Sequence, residues 1–250
     1  MLTFNIPMKA LDDGICSILR VEANANMKCT RQMFSIILPP TPHRCFTAAF
    51  QMAPPFFTRF SCNYLHYAIF SLDDLYTLML DMQRLGFSSL TLSLSEHSDF
   101  RVVVALEFHT YGDEEKLSVA MLPTFESENE EDVGEIDYTY FVSIDIEEFR
   151  SIVKELGDDD EVSVVVTNSQ IKFIVGWRVI VLTTMKKECI IGGIAVGEEI
   201  ETSIRFDPMH FFHNFKSKRV WFFKSNDDAI MLTAPMGLYS RISSYFPQRL

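Results

Sequence analysis

The sequence predicts an α+β protein in which antiparallel sheets back a few short helices. Three observations predict this class: a strand–helix–strand pattern recurs four times, most segments outside those repeats read as strands, and an acidic stretch divides the chain between the second and third repeats. A pattern that repeats along a chain indicates repeated architecture. We therefore predict two similar domains, 1–121 and 138–250, joined by an acidic connector, 122–137.

The clearest repeat spans residues 138–166. A strand-like segment, 139–143, is followed by Asp145, a residue type that caps helices by accepting a backbone hydrogen bond. Apolar residues then recur at helical spacing and predict one buried stripe, which consists of Phe149, Ile152, Val153 and Leu156. Gly157 ends the helix, and the next strand is predicted at 162–166.

The second repeat, 67–94, has the same organisation. Ser71 and Asp74 fit a capping arrangement at the start of a helix. The predicted buried stripe consists of Leu75, Leu78, Met79, Met82 and Leu85. Gly86 stops the helix, and alternate leucines from Leu90 onwards predict the following strand.

The other two repeats lie near the ends of the chain. In 204–223, Asp207 and Pro208 predict the cap and first residue of a helix of about three turns. Residues 2–33 hold the weakest copy. Further strands are predicted at 46–50, 102–108, 171–175 and 178–182, with turns at Pro39-Pro40 and Gly192-Gly193.

Composition and charge restrict the class of protein. Hydrophobic residues make up 48% of the chain, which suffices for a large packed core. The net charge of -12 disfavours nucleic acid, but seven of the acidic residues fall between 126 and 137, inside the predicted connector. No apolar run approaches the roughly 18 residues that cross a bilayer, and no signal peptide is evident. Five cysteines without C-x-x-C spacing predict free thiols in a reducing compartment.

No set of residues indicates catalysis, so we expect a protein that is not an enzyme and has no cofactor. The glycines of 192–197 do not form a nucleotide-binding loop. Carboxylate pairs such as Asp73-Asp74 lie at helix starts, where the helix dipole favours them. His210 and His213 lie three residues apart, and a metal-dependent enzyme that uses them is one alternative hypothesis. No evident third ligand accompanies them, so we predict no metal site.

Four segments together resemble a known family. They are Cys62 to Leu72, with Phe70-Ser71-Leu72 entering a helix; Tyr138 to Leu156, with Glu148-Phe149 and Lys154-Glu155-Leu156; Gln170 to Phe173; and the ordered set Phe211-Phe212, Met236-Gly237 and Phe246-Pro247. In their order and spacing they resemble sliding DNA clamps of the proliferating cell nuclear antigen type. The resemblance covers nearly the whole chain.

The resemblance implies a ring of three chains whose helices line a hole and whose sheets form the outside. Duplex DNA would thread the hole, held by weak, sequence-independent contacts from basic side chains to phosphates. The DNA-facing residues that the resemblance implies are Lys9, Arg20, Arg84, Arg150, Lys154, Lys216 and Lys218. Acidic neighbours such as Asp12, Asp13 and Glu147 dilute this charge. A nuclear location, without membrane association, is also implied.

The resemblance further implies an outer docking site for short partner peptides that carry aromatic anchors. The residues that match this site are Thr47, Val133, Gly134, Ile136, Ala229, Phe246 and Pro247. The implied partners are DNA polymerases and repair proteins, together with a clamp loader. The chain would then act as a processivity factor in replication and repair.

Two alternatives to a homotrimeric replication clamp stay open. The diluted basic charge also suits one subunit of a heterotrimeric DNA-damage checkpoint clamp, in which two related subunits supply more positive charge. An acidic scaffold that binds proteins and never encircles DNA is the other alternative.

Overall fold

The computed structural model describes residues 2–41, 45–96, 102–110, 117–125, 136–157, 161–225 and 229–247. In these residues, eighteen strands and four α-helices form an α+β protein whose strand pairs are antiparallel. The predicted class is therefore confirmed. None of the helices in the described ranges has the length and apolar character needed to span a membrane.

The chain forms two compact units. The first comprises Met1–Pro39, Ala49–Glu131 and Leu238–Ser240; the second comprises Pro40–Ala48, Asp132–Gly237 and Arg241–Leu250. Of the predicted connector 122–137, Leu122 to Phe125 belong to a strand that ends at Phe125, and Ile136 and Asp137 begin the next strand. Residues 126–135 lie outside the described residues.

The elements up to residue 125 alternate strands with two helices. In chain order they are β1 (Leu2–Pro7), α1 (Met8–Leu19), β2 (Asn24–Cys29), β3 (Phe34–Leu38), β4 (Thr47–Met52), β5 (Arg59–Cys62), β6 (His66–Ser71), α2 (Leu72–Arg84), β7 (Ser89–Glu96), β8 (Val102–His109) and β9 (Leu117–Phe125). The strand order is β4-β3-β2-β6-β9-β8-β7-β1-β5. Helix α1 packs against α2.

The elements from residue 136 onwards follow the same plan. In chain order they are β10 (Ile136–Asp145), α3 (Ile146–Leu156), β11 (Val162–Thr167), β12 (Gln170–Val175), β13 (Arg178–Thr183), β14 (Cys189–Gly192), β15 (Glu199–Ile204), α4 (Met209–His213), β16 (Arg219–Ser225), β17 (Ile230–Pro235) and β18 (Ser240–Phe246). Strands run in the orders β14-β10-β16-β17-β18 and β13-β12-β11-β15. Helix α3 packs against α4.

The two halves share both element order and strand pairing. Each reads strand, helix, five strands, helix, three strands in its described residues. The first strand pairs with the fifth and seventh, and the second with the third and sixth, in both halves. Even a single connecting bond recurs: the Met8 amide donates to the Ser88 carbonyl (2.9 Å), and the Ile146 amide donates to the Lys218 carbonyl (3.1 Å). The sequence repeat is thus a structural repeat.

Local signals determine how the second and third helices begin. The Ser71 hydroxyl accepts a hydrogen bond from the Asp74 amide (3.1 Å), and the Asp145 carboxylate accepts one from the Glu147 amide (3.0 Å), as the sequence predicts. The stripe of α3 is buried throughout. The predicted stripe of α2 is wrong at Leu85, which follows the helix and is 69% exposed. Helices α1, α2 and α3 each begin at the residue directly after a strand.

The fourth helix is much shorter than predicted. It spans only Met209–His213, Pro208 occupies the N-cap position in an extended conformation, and no side chain caps it. The helix ends because the Asn214 side-chain amide donates to the His210 carbonyl (2.7 Å), which takes an acceptor that a further turn would use. Lys216 and Lys218 consequently lie in the loop before β16 rather than on a helix.

Aromatic side chains fill both cores. In the first unit, the Phe4 ring lies 4.6 Å from that of Phe34 and 4.7 Å from that of Phe57, measured between centroids. In the second unit, the fully buried Phe149 contacts four rings, those of Phe206, Phe212, Phe215 and Phe222. Aromatic pairs at these separations stabilise a core beyond simple burial.

Candidate nucleic-acid interface and docking cleft

The basic residues predicted on the helices of the first unit are all exposed. Lys9 lies in the first turn of α1, Arg20 directly after that helix, and Arg84 in the last turn of α2. Arg84 forms an ion pair with Asp81 (3.0 Å). These three cations share residues 8–20 and 72–84 with five carboxylates, which are Asp12, Asp13, Asp73, Asp74 and Asp81. The helices of this unit therefore carry a small negative charge.

In the second unit the predicted cations differ in their availability. Lys154, Lys216 and Lys218 are exposed, and could reach a polyanion. The Arg150 side chain is only 31% exposed and its donors are already engaged. Residues 146–156 and 209–219 hold five Lys or Arg residues and three glutamates, so these two segments together carry a small positive charge.

Arg150 joins α3 to the segment that ends α4. Its Nε donates to the His213 carbonyl (3.1 Å), and its Nη2 donates to the Phe215 carbonyl (2.7 Å). Its Nη1 contacts the Glu147 carboxylate at 2.7 Å. Because the guanidinium has a fixed fork of donors, one side chain can satisfy several carbonyls at a helix end. Arg150 is therefore well placed to stabilise this corner of the unit.

A polar contact that sequence reasoning missed joins α1 and α2. The Cys16 Sγ lies 2.9 Å from the Tyr76 hydroxyl and 3.7 Å from the Asp12 carboxylate. This hydrogen bond with the thiol, together with burial, raises the pKa of Tyr76 to about 12. The four-residue spacing of Asp12 and Cys16 was the only local signal. Tyr76 could not have been paired with Cys16 without knowing how the two helices pack.

The structure brings together the described members of the predicted peptide-docking site. Ile136 lies opposite Ser225, whose amide donates to the Ala229 carbonyl (2.8 Å). Phe246 lies opposite Ile230, next to Ala229, and Pro247 follows. Thr47 is adjacent to Phe46, whose ring centroid lies 5.1 Å from that of Phe246. These residues therefore converge at one end of the β10-β16-β17-β18 sheet. Val133 and Gly134 lie outside the described residues.

A cleft of about 630 Å³ lies in the second unit, beside Phe246 and Pro247. Besides these two residues, the lining comes from Cys45, which lies before β4, and from β11, β12, β15 and their loops. The lining residues of these strands and loops are Glu161, Ser163, Ile174, Val175, Gly176, Glu201, Thr202, Ser203, Ile204 and Arg205. Sequence reasoning found none of this further set. Its only local signal was the alternation of polar and apolar residues along β11 and β15.

Two serine–glutamate pairs cross between β11 and β15 at the cleft. The Ser163 hydroxyl donates to the Glu201 carboxylate (3.2 Å), and the Ser203 hydroxyl donates to the Glu161 carboxylate. Ser163 and Ser203 lie directly opposite each other in the antiparallel register. The two hydroxyls thus hold both carboxylates on the exposed face of the strand pair.

Two strands expose apolar side chains in an alternating pattern. On β9, Leu117, Val119 and Met121 are each more than half exposed, and Phe125 continues the same face. On β13, an outermost strand of the four-stranded sheet, Val179 is 52% exposed. Rows of exposed apolar side chains on strands are typical of surfaces that other chains cover.

Metal and disulfide chemistry is not evident in the described residues. No group of three or more His, Cys, Asp or Glu residues there is arranged to hold a metal ion. All five cysteines are free thiols. No protein-family model matches the chain, and no curated protein matches its sequence.

Proposed function

We propose that this chain is a subunit of a sliding DNA clamp. The observation that carries the proposal is the structural repeat: two units share one element order and one pairing scheme, and each packs two helices together. Repeated units of this kind suit a closed ring, since each can occupy an equivalent place around the axis. The resemblance drawn from the sequence leads to the same function.

Ring closure requires one surface of a chain to fit a different surface of the next chain. We propose that the exposed apolar face of β9 and the outermost strand β13 supply these two surfaces. Strand β13 is an edge strand, and in the described residues β9 pairs with β6 only at Thr124 and Phe125, so the backbone of its earlier residues can pair with another strand on that side. Alternating apolar side chains bury well against a sheet. Head-to-tail pairing of β9 with β13 of the neighbour would close a ring of three chains.

The proposed contact with DNA is electrostatic and independent of base sequence. The exposed cations Lys9, Arg20, Lys154, Lys216 and Lys218 would make weak, interchangeable contacts with phosphates. A closed ring that encircles DNA stays bound without strong contacts to it, so a surface of low positive charge is compatible with sliding. Partner enzymes would dock at the end of the β10-β16-β17-β18 sheet, where Ile136, Ala229 and Phe246 converge.

Solution mass tests the ring. A homotrimer has a mass of about 86 kDa, three times the 28.8 kDa of one chain, measurable by light scattering. Met121→Asp on β9 and Val179→Asp on β13 should each yield folded monomers, because a buried charge opposes strand pairing. Leu238→Asp is the matched control, since Leu238 is 90% exposed but belongs to neither strand. Unchanged trimers in both strand variants would exclude this interface.

DNA topology tests the clamp. The protein is placed on closed circular DNA, and the circle is then cut at one site. An encircling ring should slide off the new ends, whereas an acidic scaffold bound through other proteins should not respond to cutting. Retention on linear DNA would refute the sliding mechanism.

One observation favours a second candidate, a subunit of a heterotrimeric checkpoint clamp. The helices of the first unit carry five carboxylates against three cations, and Arg84 is paired with Asp81. A ring of three identical chains would repeat this acidity, while two different partner chains could offset it. If the chain without substitutions has the solution mass of a monomer, that result would support this candidate over the homotrimer.

A further inference from the structure

The second unit has an open strand edge beside its cleft. Within the described residues, β15 pairs only with β11 and forms one edge of the four-stranded sheet. An edge strand presents backbone N–H and C=O groups that can pair with another extended chain. The cleft of about 630 Å³ opens along residues 201–205, so there is room for such a chain beside this edge.

The first unit shows that the equivalent edge accepts a strand. Its strand β6 pairs with β2 on one side and with the end of β9 on the other, at Ile69↔Phe125 and Phe70↔Thr124. Counted from the residues that end β6 and β15, Thr202 and Ser203 are the equivalents of Ile69 and Phe70. Among the described residues, nothing pairs with Thr202 or Ser203 on that side.

The chemistry of the cleft indicates what kind of segment would fit. The lining in the described residues holds two carboxylates, Glu161 and Glu201, against one cation, Arg205, so its net charge is negative. Both glutamates are exposed, and each accepts a hydrogen bond from a neutral serine hydroxyl, which leaves its negative charge intact. Apolar side chains line the same cleft, including Ile174, Val175 and Phe246. A segment with a basic residue for the carboxylates and an apolar residue for the Phe246 side is complementary to both.

We propose that this cleft binds an extended segment of a partner protein, which adds as a strand to the edge of β15 and places a lysine or arginine against Glu161 and Glu201. The inference rests on the docking role proposed above, because Phe246 and Pro247 belong to both sites. It adds a binding mode and a pair of charge-selective residues that the sequence did not supply. Recognition by strand addition gives affinity through the backbone and selectivity through alternate side chains.

Synthetic peptides test the proposal with the full-length chain. The probe is a fluorescein-labelled ten-residue peptide that alternates lysine and valine and ends in phenylalanine, and its binding is measured by fluorescence anisotropy at low salt. A peptide with glutamate in place of lysine should not bind. A peptide N-methylated at alternate backbone positions should lose at least ten-fold in affinity, because it cannot complete the strand pairing.

Protein variants locate the binding. The double variant Glu161→Gln and Glu201→Gln should bind the lysine peptide about ten-fold more weakly, as expected for two partly exposed ion pairs. Glu199→Gln is the matched control, because Glu199 is exposed on the same strand but lies outside the cleft lining, and its affinity should change less than about two-fold. Circular dichroism confirms that each variant is folded.

Three results would overturn the inference: equal affinity for the N-methylated peptide, equal affinity of the double variant, or binding that appears only after residues 248–250 are removed. The last result would assign the cleft to the chain's own C-terminus. Solution mass is measured on the same samples. A ring that does not bind the peptide refutes only this inference, whereas a peptide-binding monomer refutes only the homotrimeric ring.

Discussion

Replacing Arg150 tests whether this side chain stabilises the second unit. Arg150→Met removes the guanidinium but keeps an unbranched apolar stem and a comparable helix propensity, so the change isolates the hydrogen bonds. The bonds at stake run to the His213 and Phe215 carbonyls, at 3.1 and 2.7 Å. Both carbonyls belong to the segment that ends α4, which no side chain caps at its start.

The structure gives the expected magnitude. Hydrogen bonds from a charged donor contribute about 1.5–3 kcal/mol each to the free energy of unfolding. The two bonds to carbonyls would therefore contribute about 3–6 kcal/mol together if both were fully buried. The Arg150 side chain is 31% exposed, and water can replace part of what is lost. The contact with the largely exposed Glu147 adds no more than about 0.5 kcal/mol. We therefore expect Arg150→Met to lower the free energy of unfolding by about 2 kcal/mol.

Tryptophan fluorescence during urea unfolding reports this change selectively. Both tryptophans, Trp177 and Trp221, belong to the second unit. Lys154→Met is the matched control, because Lys154 is exposed on the same helix, and its effect should stay within about 0.5 kcal/mol. Arg150→Lys should retain about half of the stabilisation, since an ammonium group cannot span both carbonyls. Equal midpoints for Arg150→Met and Lys154→Met would refute the reasoning.

Three further predictions concern the cores and the α1–α2 contact. The pKa of Tyr76 is about 12 in the folded chain and about 10 in the unfolded chain, so the unfolded state loses this proton first and stability falls between pH 10 and 12. Tyr76→Phe should make the melting temperature fall less steeply over this pH range. An unchanged slope would argue against the Cys16 contact. Gly14→Ala should lower the free energy of unfolding, measured by chemical denaturation, by about 1–3 kcal/mol, because a Cβ there would lie 2.2 Å from the Phe50 ring. An unchanged free energy of unfolding would mean that the ring moves aside freely. Phe149→Ala should cost about 3–5 kcal/mol by the same tryptophan assay, and a loss below about 1 kcal/mol would contradict the central place of this ring.

Features encoded by neighbours in sequence could be predicted. The cap at Asp145 and the stripe from Phe149 to Leu156 depend on residues within about three turns of one another, and the structure confirms both. The strands on either side of Gly176 were predicted for the same reason, since the turn and the alternation are local. Such signals position elements well but say little about which surfaces remain uncovered.

Features that depend on distant pairing could not be predicted. The serine–glutamate pairs join residues 38 and 42 positions apart, and only the register of β11 against β15 brings them together. The length of α4 was mispredicted because its end depends on a side-chain bond from Asn214 rather than on the apolar pattern. Only the resemblance assigned Ile136, Ala229 and Phe246 to one docking site, since no local spacing links them, and their docking role stays a prediction.

The helices α1, α2 and α3 start without any spacer after their strands, and this has a consequence for how the chain can change in length. The pleat of the last strand residues fixes the rotation at which each helix emerges. One inserted residue at such a junction would turn the helix by about 100° and carry its apolar stripe away from the sheet. Insertions should therefore be tolerated only at other connections. At these three strand–helix junctions, an inserted residue of any type should destabilise the fold.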